Sequence, residues 1–65
     1  MNSITGVELN LIGQDGNAFM ILGLASKALK REGLYEEYWS VYEEEATSGD
    51  YNNLLATTMK YFDVN

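Results

Sequence analysis

Residues 17–32, Asn-Ala-Phe-Met-Ile-Leu-Gly-Leu-Ala-Ser-Lys-Ala-Leu-Lys-Arg-Glu, are the one stretch of this chain apolar enough for a central helix and marked at both ends. At its entry Asp15 or Asn17 can accept from the first free backbone N–H groups, and Gly16 can supply the positive φ of a turn. Gly33 suits the left-handed position past its exit, where Lys27, Lys30 and Arg31 favour the negative end of the macrodipole. Ala18, Leu22, Ala25 and Leu29 fall at helical spacing, flanked by Ile21 and Ala28, with Phe19 on the other side. The small Ala18, Ala25, Ala28 and Gly23 let other elements come close. Glycine costs about 1 kcal/mol against alanine inside a helix, so something is expected to pack against Gly23.

The rest of the chain arranges itself around that helix. Ser3 to Ile12 alternates as a strand, with Thr5, Val7, Leu9 and Leu11 on one face and Gly6, Glu8 and Asn10 on the other. A second helix is predicted from Leu34 or Tyr35 to Ala46 or Thr47, its apolar side formed by Tyr35, Tyr38, Trp39, Tyr42 and Ala46 with Val41 beside it. The turn Thr47-Ser48-Gly49-Asp50 offers Ser48 or Asp50 as cap for a third helix, in which Tyr51, Leu54, Leu55, Thr58, Met59 and Phe62 repeat with helical period. Tyr61-Phe62-Asp63-Val64 returns to alternation, a terminal strand suited to pair with Val7 to Leu11. The expected fold is mainly helical α+β: β-α-α-α-β, three short helices on one face of a two-stranded sheet made by the N- and C-terminal segments. No linker or repeat divides the chain, so residues 1–65 are read as one domain.

A chain of 65 residues buries only about 60% of its unfolded surface, and with neither cysteine nor histidine it has no disulfide or zinc staple. A hydrophobic content of 46% is nevertheless too high for a disordered tail, so a packed core or self-association must hold it. Ten acidic residues against four basic ones oppose direct binding to nucleic acid or anionic lipid, and basic proteins are the natural partners. The longest apolar run, Ala18 to Leu22, is far short of the roughly 20 residues that cross a bilayer. With no basic, long apolar leader at Met1-Asn2-Ser3-Ile4 and no cysteine, a cytoplasmic location is expected.

Few chemical motifs stand out. Gly13-Gln-Asp-Gly-Asn lies between strand and helix like a phosphate loop, but lacks G-x-G-x-x-G and Gly-Lys-Ser/Thr, and Asp15 puts negative charge where a phosphate would sit. Nor does it carry the 12-residue spacing and terminal glutamate of a calcium loop. The loop is read as a capped turn, with no metal and no cofactor. Without His or Cys, acid–base work would rest on carboxylates, tyrosines or lysines, and a chain this small leaves little room for a cleft. No catalytic residue is assigned.

The strongest charge feature is Glu43, Glu44 and Glu45, with Glu36 and Glu37 seven residues earlier. Glu36 and Glu37 suit the first turn of their helix, whereas Glu43 to Glu45 oppose the dipole by about 0.3 to 1 kcal/mol each when exposed. Local helix stability did not choose them. A rise of about 1.5 Å per residue sets Glu36 and Glu43, and likewise Glu37 and Glu44, roughly 10 Å apart along a rod that can imitate the charge of a nucleic-acid backbone. The plain reading is a solubilising face. Tyr35, Tyr38, Trp39 and Tyr42 exceed what a small core easily hides, and tyrosine and tryptophan are enriched at interfaces.

Two blocks, Gly13-Gln-Asp-Gly-Asn-Ala-Phe followed by Ile21-Leu-Gly, and Glu45-Ala-Thr-Ser-Gly-Asp-Tyr with Leu54-Leu55, resemble a family of very short uncharacterised proteins of bacteria and their phages. The resemblance spans most of the chain, implies a mobile-element origin, and brings no known activity or site residue. The expected function is a non-enzymatic protein-interaction module. It would use Glu36, Glu37, Glu43, Glu44 and Glu45, with Tyr38 or Trp39 as anchor, on a basic nucleic-acid-binding protein. The alternative is a structural protein that forms a homodimer through the aromatic face of helix two.

Overall fold

The computed structural model of the protein describes residues 3–13 and 16–65. Its elements run β1 (Val7–Leu9), α1 (Ala18–Arg31), α2 (Tyr35–Ala46), α3 (Tyr51–Tyr61) and β2 (Phe62–Val64). The two strands form a parallel pair in the register Val7 to Phe62, Glu8 to Asp63 and Leu9 to Val64. Parallel neighbours require a crossover, and the three helices supply it. This is the β-α-α-α-β arrangement expected from the terminal alternations.

β1 is shorter than its alternating pattern because polar side chains divert the backbone on either side. Ile4 and Thr5 donate their N–H groups to the carbonyls of Lys60 and Tyr61, and the Thr5 hydroxyl donates to the Tyr61 carbonyl at 2.6 Å. Ile4 and Thr5 thus satisfy carbonyls that the end of α3 would otherwise leave free. Beyond the strand, the Asn10 side chain accepts from Ile12 N–H and turns the chain.

Asn17 caps α1 by accepting from Met20 N–H at 2.8 Å; Asp15, the other candidate, lies outside the described residues. Gly13 takes a positive φ of +80° where the chain turns after β1, and the turn expected at Gly16 involves Asp15, outside the described residues. At the far end Gly33 has φ +73°, while Leu34 N–H reaches the Leu29 carbonyl and Gly33 N–H that of Lys30. This double wrap closes the helix and starts α2 after only three residues. Asp50 caps α3 by accepting from Asn53 N–H, and Asn53 Nδ2 donates back to the Glu45 carbonyl, fastening the α2–α3 turn.

The core lies between the sheet and the three helices: Val7, Leu9, Ile21, Ala25, Ala28, Leu29, Tyr42, Ala46, Leu54, Tyr61 and Phe62. Tyr42 is its centre, fully buried, with its ring 5.7 Å from Trp39, 5.6 Å from Tyr61 and 5.2 Å from Phe62. Thr58 donates its single proton to the Leu54 carbonyl at 2.8 Å, so the Tyr42 phenol is the donor in their own 2.8 Å bond. Among the described residues no buried side-chain nitrogen or oxygen lacks a partner.

Three apolar expectations fail. Phe19 is 88% exposed, because α1 turns Ile21, Ala25, Ala28 and Leu29 inward and leaves Phe19 on the outer side. Outside its chain neighbours and its own helix backbone, a β-carbon built on Gly23 meets nothing within 4 Å, so no neighbour among the described residues uses its bareness. Tyr51 and Met59 are exposed since the inner line of α3 is Leu54, Thr57, Thr58 and Tyr61, with Phe62 already in β2.

Candidate functional site: the outward face of α2

α2 turns Tyr42 and Ala46 into the core, which fixes the direction of everything else on it. Glu36, Glu37, Ser40, Val41, Glu43 and Glu44 are all exposed on the opposite side. No cation lies within 4 Å of these four carboxylates among the described residues. The nearby basic groups are engaged elsewhere: Arg31 meets Glu32 at 3.3 Å, and the Lys30 ammonium sits 4.8 Å from the centre of the Tyr35 ring.

Glu45, the fifth acidic residue of the predicted strip, sits apart from the other four. Its side chain turns toward α3, where it pairs with Lys60 and accepts from the Tyr61 phenol at 3.2 Å. Lys60 holds the Glu45 carboxyl below the usual carboxylate range, and Glu45 in turn raises the Lys60 ammonium. Burial first, then the bond to Glu45, pushes the Tyr61 phenol up. Glu45 therefore ties the end of α2 to the end of α3. Periodicity alone could not separate it from Glu43 and Glu44, because its cation lies 15 residues away.

Tyr38 and Trp39 are half-buried and pack against the core. Trp39 stacks on Tyr35, ring centres 5.6 Å apart and nearly coplanar at 11°, one helical turn along α2. Much of their ring surface is used within the chain, and their free edges flank the carboxylate face. The exposed apolar side chains of α1, Phe19 and Met20, were not singled out by sequence as surface features.

Four of the grooves on the described surface each hold at most one acidic side chain, Glu8, Asp63, Asp50 or none. Among the described residues no three acidic side chains gather as metal ligands, and no helix is long and apolar enough to cross a membrane. The chain matches no protein-family model, no curated protein and no solved structure.

Proposed function

We propose that this protein is a non-enzymatic interaction module whose outward α2 face docks on a basic surface of a nucleic-acid-binding protein, imitating the charge of a nucleic-acid backbone. The observation that carries the reading is the exposed, unpaired state of Glu36, Glu37, Glu43 and Glu44 on one side of one helix. Carboxylates steer association through their field, and a partner's lysines or arginines complete them at contact. Glu43 and Glu44 add a second support, since they stand where the helix dipole disfavours them and no cation in the described chain relieves them. Tyr38 and Trp39 supply aromatic edges beside the strip. The resemblance to short phage and bacterial proteins suits a groove-blocking role of mobile-element origin, and the cysteine-free composition suits the cytoplasm.

Capture of basic proteins from the native host on immobilised protein tests this, with Glu36, Glu37, Glu43 and Glu44 together changed to Gln as the control. The variant is expected to lose the captured protein and to slow its association about tenfold or more at low salt. An unchanged association rate would sink the proposal. The second reading, a homodimer through the aromatic face, draws on the half-buried state of Tyr35, Tyr38 and Trp39, and predicts concentration-dependent burial of Trp39 visible in its fluorescence.

A further inference from the structure

The outer side of α1 is not an ordinary solvated helix face. Phe19 is 88% exposed and Met20 37%, and they border a groove of about 470 Å³ whose other walls are Asn17, Gly23, Leu24 and Lys27. Leu24 and Lys27 continue into a second groove, beside β1, that ends at Arg31. Phe19, Gly23, Lys27 and Arg31 follow one another every four residues, a single ridge on the helix surface that is apolar at one end, notched in the middle and cationic at the other. Gly23 is the notch: it is exposed, and apart from its chain neighbours and the backbone of its own helix no described atom lies within 4 Å of where its β-carbon would be.

The outward face of α2 is complementary to the notch in shape and to the cationic end in sign. Val41, 49% exposed, lies between Glu37, four residues before it, and Glu44, three residues after it. Lys27 lies four residues beyond Gly23, about 6 Å along the axis, and Glu37 and Glu44 lie about 6 Å and 4.5 Å from Val41. A Val41 side chain seated over Gly23 thus brings Lys27 beside Glu37 or Glu44 for either direction of the incoming helix. The other of the two glutamates then falls beside Phe19, whose ring packs on its methylene stem.

We infer that the outward face of α1 is a docking surface for the outward face of α2 on a second copy of this chain. The inference rests on the reading of that α2 face as a docking strip and names a partner for it. The net charge of −6 opposes self-association only over distances that salt screens, since beyond about 8 Å at physiological ionic strength the contact sees its own charges rather than the total. Lys27 meets no carboxylate within 4 Å among the described residues, so the pairing breaks no ion pair there. The contact joins two different faces, which sets it apart from a homodimer through Trp39.

That difference gives the test. One variant carries Phe19→Ser and Gly23→Gln, the other Glu37→Lys and Glu44→Lys; all four positions are exposed, and circular dichroism checks that both fold. In sedimentation from micromolar to millimolar concentration the parent protein should associate, more weakly as salt rises, and each variant alone should associate about tenfold less tightly or worse. Mixed together they should form a one-to-one pair, because each supplies the face that the other lacks. A parent protein that stays monomeric at millimolar concentration overturns the inference, as does a mixture no more associated than its components. Should the parent stay monomeric while the four-glutamate variant still loses a captured basic protein, the α2 strip stands and only the self-docking falls.

Discussion

Tyr42 shows how much one side chain can carry in a chain of this size. Its ring meets Trp39, Tyr61 and Phe62, and its phenol donates to a threonine whose own proton is already committed to a helix carbonyl. Tyr42→Phe leaves Thr58 bonded to Leu54 and should cost only about 0.5–1.5 kcal/mol, whereas Tyr42→Ala opens a cavity among three rings and should cost about 3–5 kcal/mol. Urea unfolding of the two variants separates hydrogen bond from packing. Two glycines on the same stretch should respond in opposite senses. Gly23→Ala meets nothing within 4 Å and should stabilise the monomer by about 1 kcal/mol, while Gly33→Ala forces a side chain onto φ +73° and should destabilise it by at least about 1 kcal/mol. A destabilising Gly23→Ala in dilute solution would mean that the outer side of α1 is packed within the monomer. Gly33 was legible as punctuation, and Asn17 and Asp50 as candidates beside Asp15 and Ser48, because a cap or a left-handed exit acts within a few residues of itself.

At the scale of the element, α2 puts stability and its proposed function in opposition. Changing Glu43 and Glu44 to Gln removes carboxylates from the negative end of the dipole and should raise stability by about 0.3–1 kcal/mol each in low salt, while weakening capture of a basic partner. A thermal melt and an association rate on the same variant check both halves. Glu45 should behave differently from its two neighbours. Its carboxyl is held down by Lys60, so the stability it contributes is present above the carboxylate's ordinary value and is lost as pH falls through the lowered one. Glu45→Gln should flatten the acid limb of a melting-temperature profile below about pH 4, and an acid limb identical to the parent's would show that the pair adds nothing. The helix boundaries were within reach of sequence because the aromatic side of α2 repeats with its own period. Which glutamate would find a cation was not.

The whole molecule closes through its ends. Ile4 and Thr5 sit on the last carbonyls of α3, and β1 pairs with β2 across a separation of 55 residues, so neither terminal segment holds its place without the other. Deleting residues 62–65 removes Phe62, which is 1% exposed, and leaves β1 without a partner; loss of the cooperative transition by circular dichroism is the expected result. Alkali should act on the interior as a whole. Burial raises the Tyr42 and Tyr61 phenols, and Glu45 raises the Lys60 ammonium. All three groups hold their protons more tightly when folded, so their contribution is complete below about pH 10 and is lost as pH rises through the raised values. A melting temperature that stayed level above that pH would contradict it.

Composition, period and punctuation determined the number of helices, their order, the candidate caps of the first and third, and the strands at the two ends, because each of these is written within a few residues of the place where it acts. Tertiary structure alone decided that the strands run parallel, that Glu45 belongs to α3 rather than to the free carboxylates, and that Phe19 and Gly23 face outward. The reason is common to all: hydrophobic pattern says that a residue suits an interior, but which side of a helix becomes interior depends on what packs against it, and that comes from distant parts of the chain.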